Sequence, residues 1–321
     1  MRISGFRNRC VPGTSSLRCR GLFVHSLLAP WLAVTALAGV PGAMAPARGD
    51  EVGLPPGSGQ FTFRAGDVDL EVFTYRPDGV AAERARLLLV FHGVARNADE
   101  YRDWAVPLAR ATNAVVATPR FTKDTFPNTK YQQGNLLDDG RVVPRAEWTW
   151  TLVPLVAAEV RRRIGRPDAP FDLIGHSAGG QFLARSAAFF DTGAERIVAA
   201  NPGTHLFPTR ELDYPLGFGG LPDDLGGDEA IRRYLARPLT IFLGTADTVA
   251  DDNFDVSPEA MRQGASRHER GRHAYELARK LAADRGWEFA WKLIEAEGVG
   301  HVAERMFAHD TAVTALRGSA P

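Results

Sequence analysis

The chain has 321 residues, 45% of them hydrophobic, with 38 basic residues balanced by 38 acidic ones. That length and apolar content suit one large globular domain or two small ones. Zero net charge, with no basic run interleaved with aromatics, argues against a nucleic-acid partner.

The first 45 residues stand apart. Arg2, Arg7, Arg9, Arg18 and Arg20 precede a mostly apolar stretch over 22–40, and Ala43-Met44-Ala45 matches a small-residue cleavage signal. This pattern predicts a secretory signal peptide over 1–45, and hence a secreted or periplasmic protein with no membrane span in its mature chain. An uncleaved N-terminal anchor is the alternative; a short run carrying His25 and Pro30 weakens it. Losing the leader removes five arginines and both cysteines, Cys10 and Cys19. The mature chain then has an excess of five acidic charges, no disulfide and no cysteine-based metal site. Its core must hold it together without such links.

Residues 46–59, rich in Pro, Gly and Ala, read as a flexible mature N-terminus, and 60–321 as a single catalytic domain. Alternation over 61–63 and 68–75 predicts an antiparallel edge hairpin. The continuous apolar run 87–91 suits a buried parallel strand, ending in His92-Gly93-Val94. Tyr101, Trp104, Leu108 and Ala111 give helical spacing over 98–113, with Asn97 and Glu100 placed as a capping box. A buried strand over 114–118 follows. A long polar segment, 120–144, precedes a helix over 147–164 in which Pro154 is an interruption. Strands then fall at 171–175, 196–200, 239–243 and 288–295, and helices at 181–190, 265–286 and 302–316. A second irregular stretch spans 204–227; with 120–144 it is a candidate lid or pocket wall. Arg267, His268, Arg270, Arg272 and His273 read as a solvated face or ion-pair network.

Alternating strands and helices after an antiparallel start predict an α/β fold, a mostly parallel sheet with helices on both faces. Such sheets bind ligands beyond the carboxyl ends of their strands. His92, Ser177, Asp247 and His301 all fall at those ends.

Gly175-His176-Ser177-Ala178-Gly179 lies between a predicted strand and a predicted helix, the setting of a nucleophile elbow. Serine needs a base to take its proton, and the base needs a carboxylate to fix its tautomer. His301, in the loop after the last strand, is the candidate base; His176 is expected to point away from the triad, and His92 to be a structural hydrogen-bonding residue. Asp247 is the candidate acid, with Asp251 and Asp252 as rivals in the same loop. The candidate oxyanion donors are the backbone N–H groups of Ala178 and Val94, with Gly93 or Ala95 as alternatives to Val94. No metal or organic cofactor is called for.

Gly-His-Ser-Ala-Gly, the upstream His92-Gly93, the Gly244-Thr245-Ala246-Asp247 turn and Gly300-His301 resemble the α/β-hydrolase superfamily. Residues 92–101, with Asn97 and Tyr101 at the helix start, more narrowly resemble secreted polyhydroxybutyrate-depolymerase and feruloyl-esterase-like proteins. The resemblance implies Ser177 as nucleophile, Asp247 as acid, His301 as base and Val94 and Ala178 as oxyanion donors, acting on a small-molecule or polymeric ester. Two departures stand out: members often have disulfides, and this chain shows no separate substrate-binding domain for solid polymer. An amidase or peptidase of the same fold, and a noncatalytic binding protein that keeps the elbow, are the competing readings.

Overall fold

A computed structural model of the chain describes residues 53–80 and 84–317; the signal peptide expected over 1–45 lies outside the described residues. β1 (Gly57–Ala65) and β2 (Val68–Arg76) form the expected hairpin, paired antiparallel from Gly57↔Arg76 to Ala65↔Val68. The chain continues through β3 (Arg86–Phe91), α1 (Ala98–Trp104), α2 (Val106–Thr112), β4 (Ala114–Pro119), α3 (Asn128–Tyr131) and the short ribbon of β5 (Leu137–Asp138) and β6 (Arg141–Val142). Then come α4 (Leu152–Arg163), β7 (Phe171–His176), α5 (Ala178–Phe189), β8 (Arg196–Ala200), α6 (Asp223–Gly226), α7 (Asp228–Leu235) and β9 (Leu239–Gly244). The last elements are α8 (Pro258–Met261), α9 (Arg267–Arg285), β10 (Lys292–Ala296), α10 (Ala303–Ala308) and α11 (Asp310–Arg317).

The main sheet runs β1-β2-β4-β3-β7-β8-β9-β10. β2 meets β4 antiparallel, and every pair from β4 to β10 is parallel. Side-chain alternation splits the core across the sheet. Leu87, Leu89, Phe91, Leu173 and Ile241 pack under α4, α5 and α9 on one face. Leu88, Val90, Ile174, Val198 and Phe242 pack under α1, α2, α10 and α11 on the other. No helix among the described residues is long and apolar enough to cross a membrane.

Several local expectations are corrected. The helix over 98–113 is two helices meeting at Ala105, because Pro107 lacks an N–H and enters in the first turn of α2. Asn97 occupies the N-cap position of α1 but caps nothing; its amide donates to the Glu100 carboxylate at 2.5 Å. Pro154 interrupts no helix: α4 begins at Leu152, so the proline falls among the first turn's N–H groups, which have no helical partner anyway. β10 starts at Lys292 rather than 288, since its register opens at Lys292↔Thr240 and β9 itself begins at Leu239. The closing helix breaks at His309, whose backbone is extended.

The ion-pair network expected on α9 is present, but as a solvated face the cluster is only half right. His268 and Arg272 both reach Glu295, at 2.8 and 2.9 Å. Arg267 and Arg270 are instead fully buried. Arg270 donates to the carbonyls of Gly264, Gly203 and Asp255 and lies over the Phe254 ring. It is therefore a clamp between loops. The segment 120–144 also has its own core: Phe121 stacks on Tyr131, which stacks on Phe182 of α5.

Candidate active site

Ser177 sits between β7 and α5 at φ 56° and ψ −115°, backbone space that side chains occupy only under strain. The neighbouring glycines permit this turn. A Cβ on Gly179 would run into the Phe91 carbonyl and lie 2.9 Å from the His92 oxygen. One on Gly175 would lie 2.5 Å from the Gly179 carbonyl carbon. The start of α5 therefore presses directly on the exit of β3, which brings the His92-Gly93-Val94 loop to the nucleophile. A Cβ on Gly93 would sit 3.8 Å from that of Ser177.

His301 Nε2 lies 3.0 Å from Ser177 Oγ, and His301 Nδ1 lies 2.7 Å from Asp247 Oδ2. The three groups come from the ends of β7, β9 and β10, and they form one continuous hydrogen-bonded line. Asp247 is buried, as the orienting carboxylate of such a line requires. Of the two rival acids, Asp251 is exposed and its carboxylate is held by Arg267 at 2.6 Å, and Asp252 makes no contact with His301.

Two solved structures are similar to the chain over most of its length. A poly(aspartic acid) hydrolase-1 from Sphingomonas sp. KT-1 is 37% identical, with a TM-score of 0.73, covering 79% of this chain and 96% of its own. A poly(3-hydroxybutyrate) depolymerase from Bordetella parapertussis is 32% identical, also with a TM-score of 0.73, covering 81% of this chain and 90% of its own. The chain belongs to the α/β-hydrolase superfamily. No family model and no curated protein matches it. In this hydrolase Ser177, His301 and Asp247 are a serine-hydrolase triad, and the chemistry their geometry supports is acyl transfer through an acyl-enzyme.

The hydrolase surrounds its triad with supports, and the first, His92, is the structural hydrogen-bonding residue expected from the sequence. His92 is fully buried; its Nε2 accepts from the Phe121 N–H at 3.0 Å, so Nδ1 carries the proton toward the Gly93 carbonyl at 2.9 Å. Burial, helped by Arg96 and Arg120, holds its pKa down at about 3, so it is a neutral brace for the loop. His176 does not point away from the triad. It shares a sheet face with Ile174, the face over which His301 enters, and the two imidazole rings pack 4.6 Å apart. Burial, then the proximity of His301 and Arg267, pushes the His176 pKa far below the usual range. The Tyr101 hydroxyl meets its Nδ1 at 3.1 Å.

Asn201, buried at the end of β8 with φ 40°, is the other hidden support. Its Oδ1 accepts from the Gly244 N–H at 2.8 Å, and its Nδ2 donates to the Gly300 carbonyl at 3.3 Å. One amide thus ties the exit of β9, which leads to Asp247, to the residue before His301.

Arg267 lies behind the acid. Its Nη1 is 3.7 Å from Asp247 Oδ1, and both side chains are only 1% exposed. R267Q removes the positive charge that Asp247 and Asp251 both face. The same change frees Asp251. Burial tends to raise its carboxyl pKa, but Arg267 and the Asn253 N–H together hold it below the usual range. That stabilisation is present above the ordinary carboxylate pKa and is lost as pH falls through the lowered one, so R267Q should forfeit it.

Proposed function

We propose that this serine hydrolase cleaves neutral carboxylic esters and works outside the cytoplasm, after removal of residues 1–45. His301 takes the Ser177 proton as Oγ attacks the ester carbonyl, forming a tetrahedral oxyanion. The N–H groups of Ala178, first in α5, and of Val94, in the loop pressed against Ser177, have no acceptor among the described residues and are the proposed donors to it. His301 returns the proton to the leaving alcohol, which leaves Ser177 acylated. Water, deprotonated by His301, then attacks the acyl carbonyl, and the acid departs as Oγ regains its proton.

The observation that carries the choice of substrate is a cavity of about 540 Å³ along α5, bordered by both irregular segments, 120–144 and 204–227. Gln181, one helical turn beyond Ser177, lines it, and its border carries Glu211, Asp213, Asp255 and Glu259 against Arg185 and Arg262. This excess of carboxylates repels polyanions and suits an uncharged chain. Both segments are proposed as walls of the substrate groove.

The second reading is amide hydrolysis, favoured by the likeness to a poly(aspartic acid) hydrolase, whose named substrate is amide-linked and anionic. One experiment separates them. Protein is recovered from the extracellular or periplasmic fraction, its N-terminus is sequenced, and it is assayed on p-nitrophenyl esters, on p-nitroanilides of the same acyl groups and on poly(aspartic acid). The expected result is an N-terminus at Pro46 and kcat/KM at least about a hundredfold higher for esters. Faster turnover of the anilides or the polyanion would reverse the assignment.

A further inference from the structure

The cavity along α5 is lined by a side chain that the triad chemistry does not use. Gln181 follows the nucleophile by one turn of α5, and its backbone N–H donates to the Ser177 carbonyl at 3.0 Å. Its side-chain Oε1 lies 3.1 Å from Arg185 Nη1 and 2.9 Å from Thr204 Oγ1. A guanidinium has donors only, so the amide atom facing it must be the oxygen. Thr204 Oγ1 already accepts from Arg185 Nη2 at 3.0 Å, so its own proton goes to Gln181. Arg185 is fully buried, and the carbonyls of Pro215 and Gln132 accept its remaining bonds. It cannot swing away from Gln181 without losing them.

The orientation of the Gln181 amide is therefore fixed, and its NH2 group faces the other way. No acceptor among the described residues takes either N–H. Beside this nitrogen lies Gly203, where a Cβ would come within 2.9 Å of it. A glycine thus clears the space, and a locked double donor, one helical turn from the nucleophile, borders the cavity.

We propose that Gln181 is a specificity-determining residue: its NH2 group binds an ether, ketone or ester oxygen in the acyl chain, and the cavity houses the rest of that uncharged chain. One helical turn advances about 5.4 Å, so the recognised oxygen stands roughly three to five bonds from the reacting carbonyl. The proposal rests on the ester reading above.

The test is a set of p-nitrophenyl esters: heptanoate and its isosteres with a single ether oxygen at position 3, 4, 5 or 6, each rate corrected for alkaline hydrolysis. Wild type should favour one oxa position over heptanoate by about tenfold in kcat/KM, the worth of one hydrogen bond. Q181E keeps an acceptor for Arg185 and Thr204 but replaces the outward donor by an oxygen. It should abolish that preference and disfavour the same oxa ester. Equal rates across the series in wild type, or the same preference in Q181E, overturn the proposal. Wild type that cleaves none of these esters overturns the ester reading instead, and the same acyl set as anilides then reads the subsite.

Discussion

Replacing Ser177 with alanine should lower kcat by about a millionfold, as loss of the nucleophile does in serine hydrolases generally. The remaining turnover would come from binding and from whatever oxyanion donors survive. The control is S186A on the same helix: Ser186 is buried and donates only to the Leu183 carbonyl one turn back. S186A should stay within a few-fold of wild type and should still label with a fluorophosphonate, which S177A should not. Stability gives a second readout, because Ser177 holds a positive φ of 56° that alanine must also adopt. S177G, free of the Cβ clash, should be more stable than S177A by about 1 kcal/mol, seen as a higher midpoint in urea. Equal midpoints would mean that the elbow carries no strain.

The second large effect is D247N, for which about a 10⁴-fold loss in kcat is expected. Arg267 dictates the reason. With Nη1 3.7 Å from Oδ1, the guanidinium demands an acceptor there, so an introduced amide turns its oxygen to Arg267 and its NH2 toward His301. His301 Nδ1 must then accept, the proton moves to Nε2, and the base faces Ser177 already protonated. D251N and D252N should each leave most of the activity. If either matched D247N, the 2.7 Å contact between Asp247 and His301 would not be the functional one.

The sheet and the triad were legible because they rest on local chemistry. Apolar runs such as 87–91 and 197–200 have little choice but to be buried strands, and Gly175 and Gly179 leave room that only an elbow needs. The order Ser177, Asp247, His301 then picked the partners, and the 2.7 and 3.0 Å contacts bring them together. The supports were hidden for a different reason. In the first two turns of α9, 267–273, every position but Gly271 is polar, so Arg267 and Arg270 look like surface charge. Their burial follows from loops, around Asp251 and Gly203, that are distant in sequence. Asn201 reads as an ordinary turn residue, and only the parallel pairing of β8 and β9 brings Gly244 to its side chain. The polar segment 120–144 reads as open loop because its aromatics, Phe121, Phe126 and Tyr131, fall five apart, which fits neither a helix nor a strand.

The Asn201 clasp also bears on when this enzyme becomes an enzyme. Ser177, Asp247 and His301 are separated by long stretches of chain, and the amide that joins the last two loops belongs to a third strand. No fragment ending before residue 301 contains the triad, and a chain with its helices formed but its central strands unpaired leaves Asn201 without either partner. Catalytic competence therefore requires the long-range pairing of β8, β9 and β10, and a chain in which those strands are unpaired carries the nucleophile as an ordinary, unreactive serine.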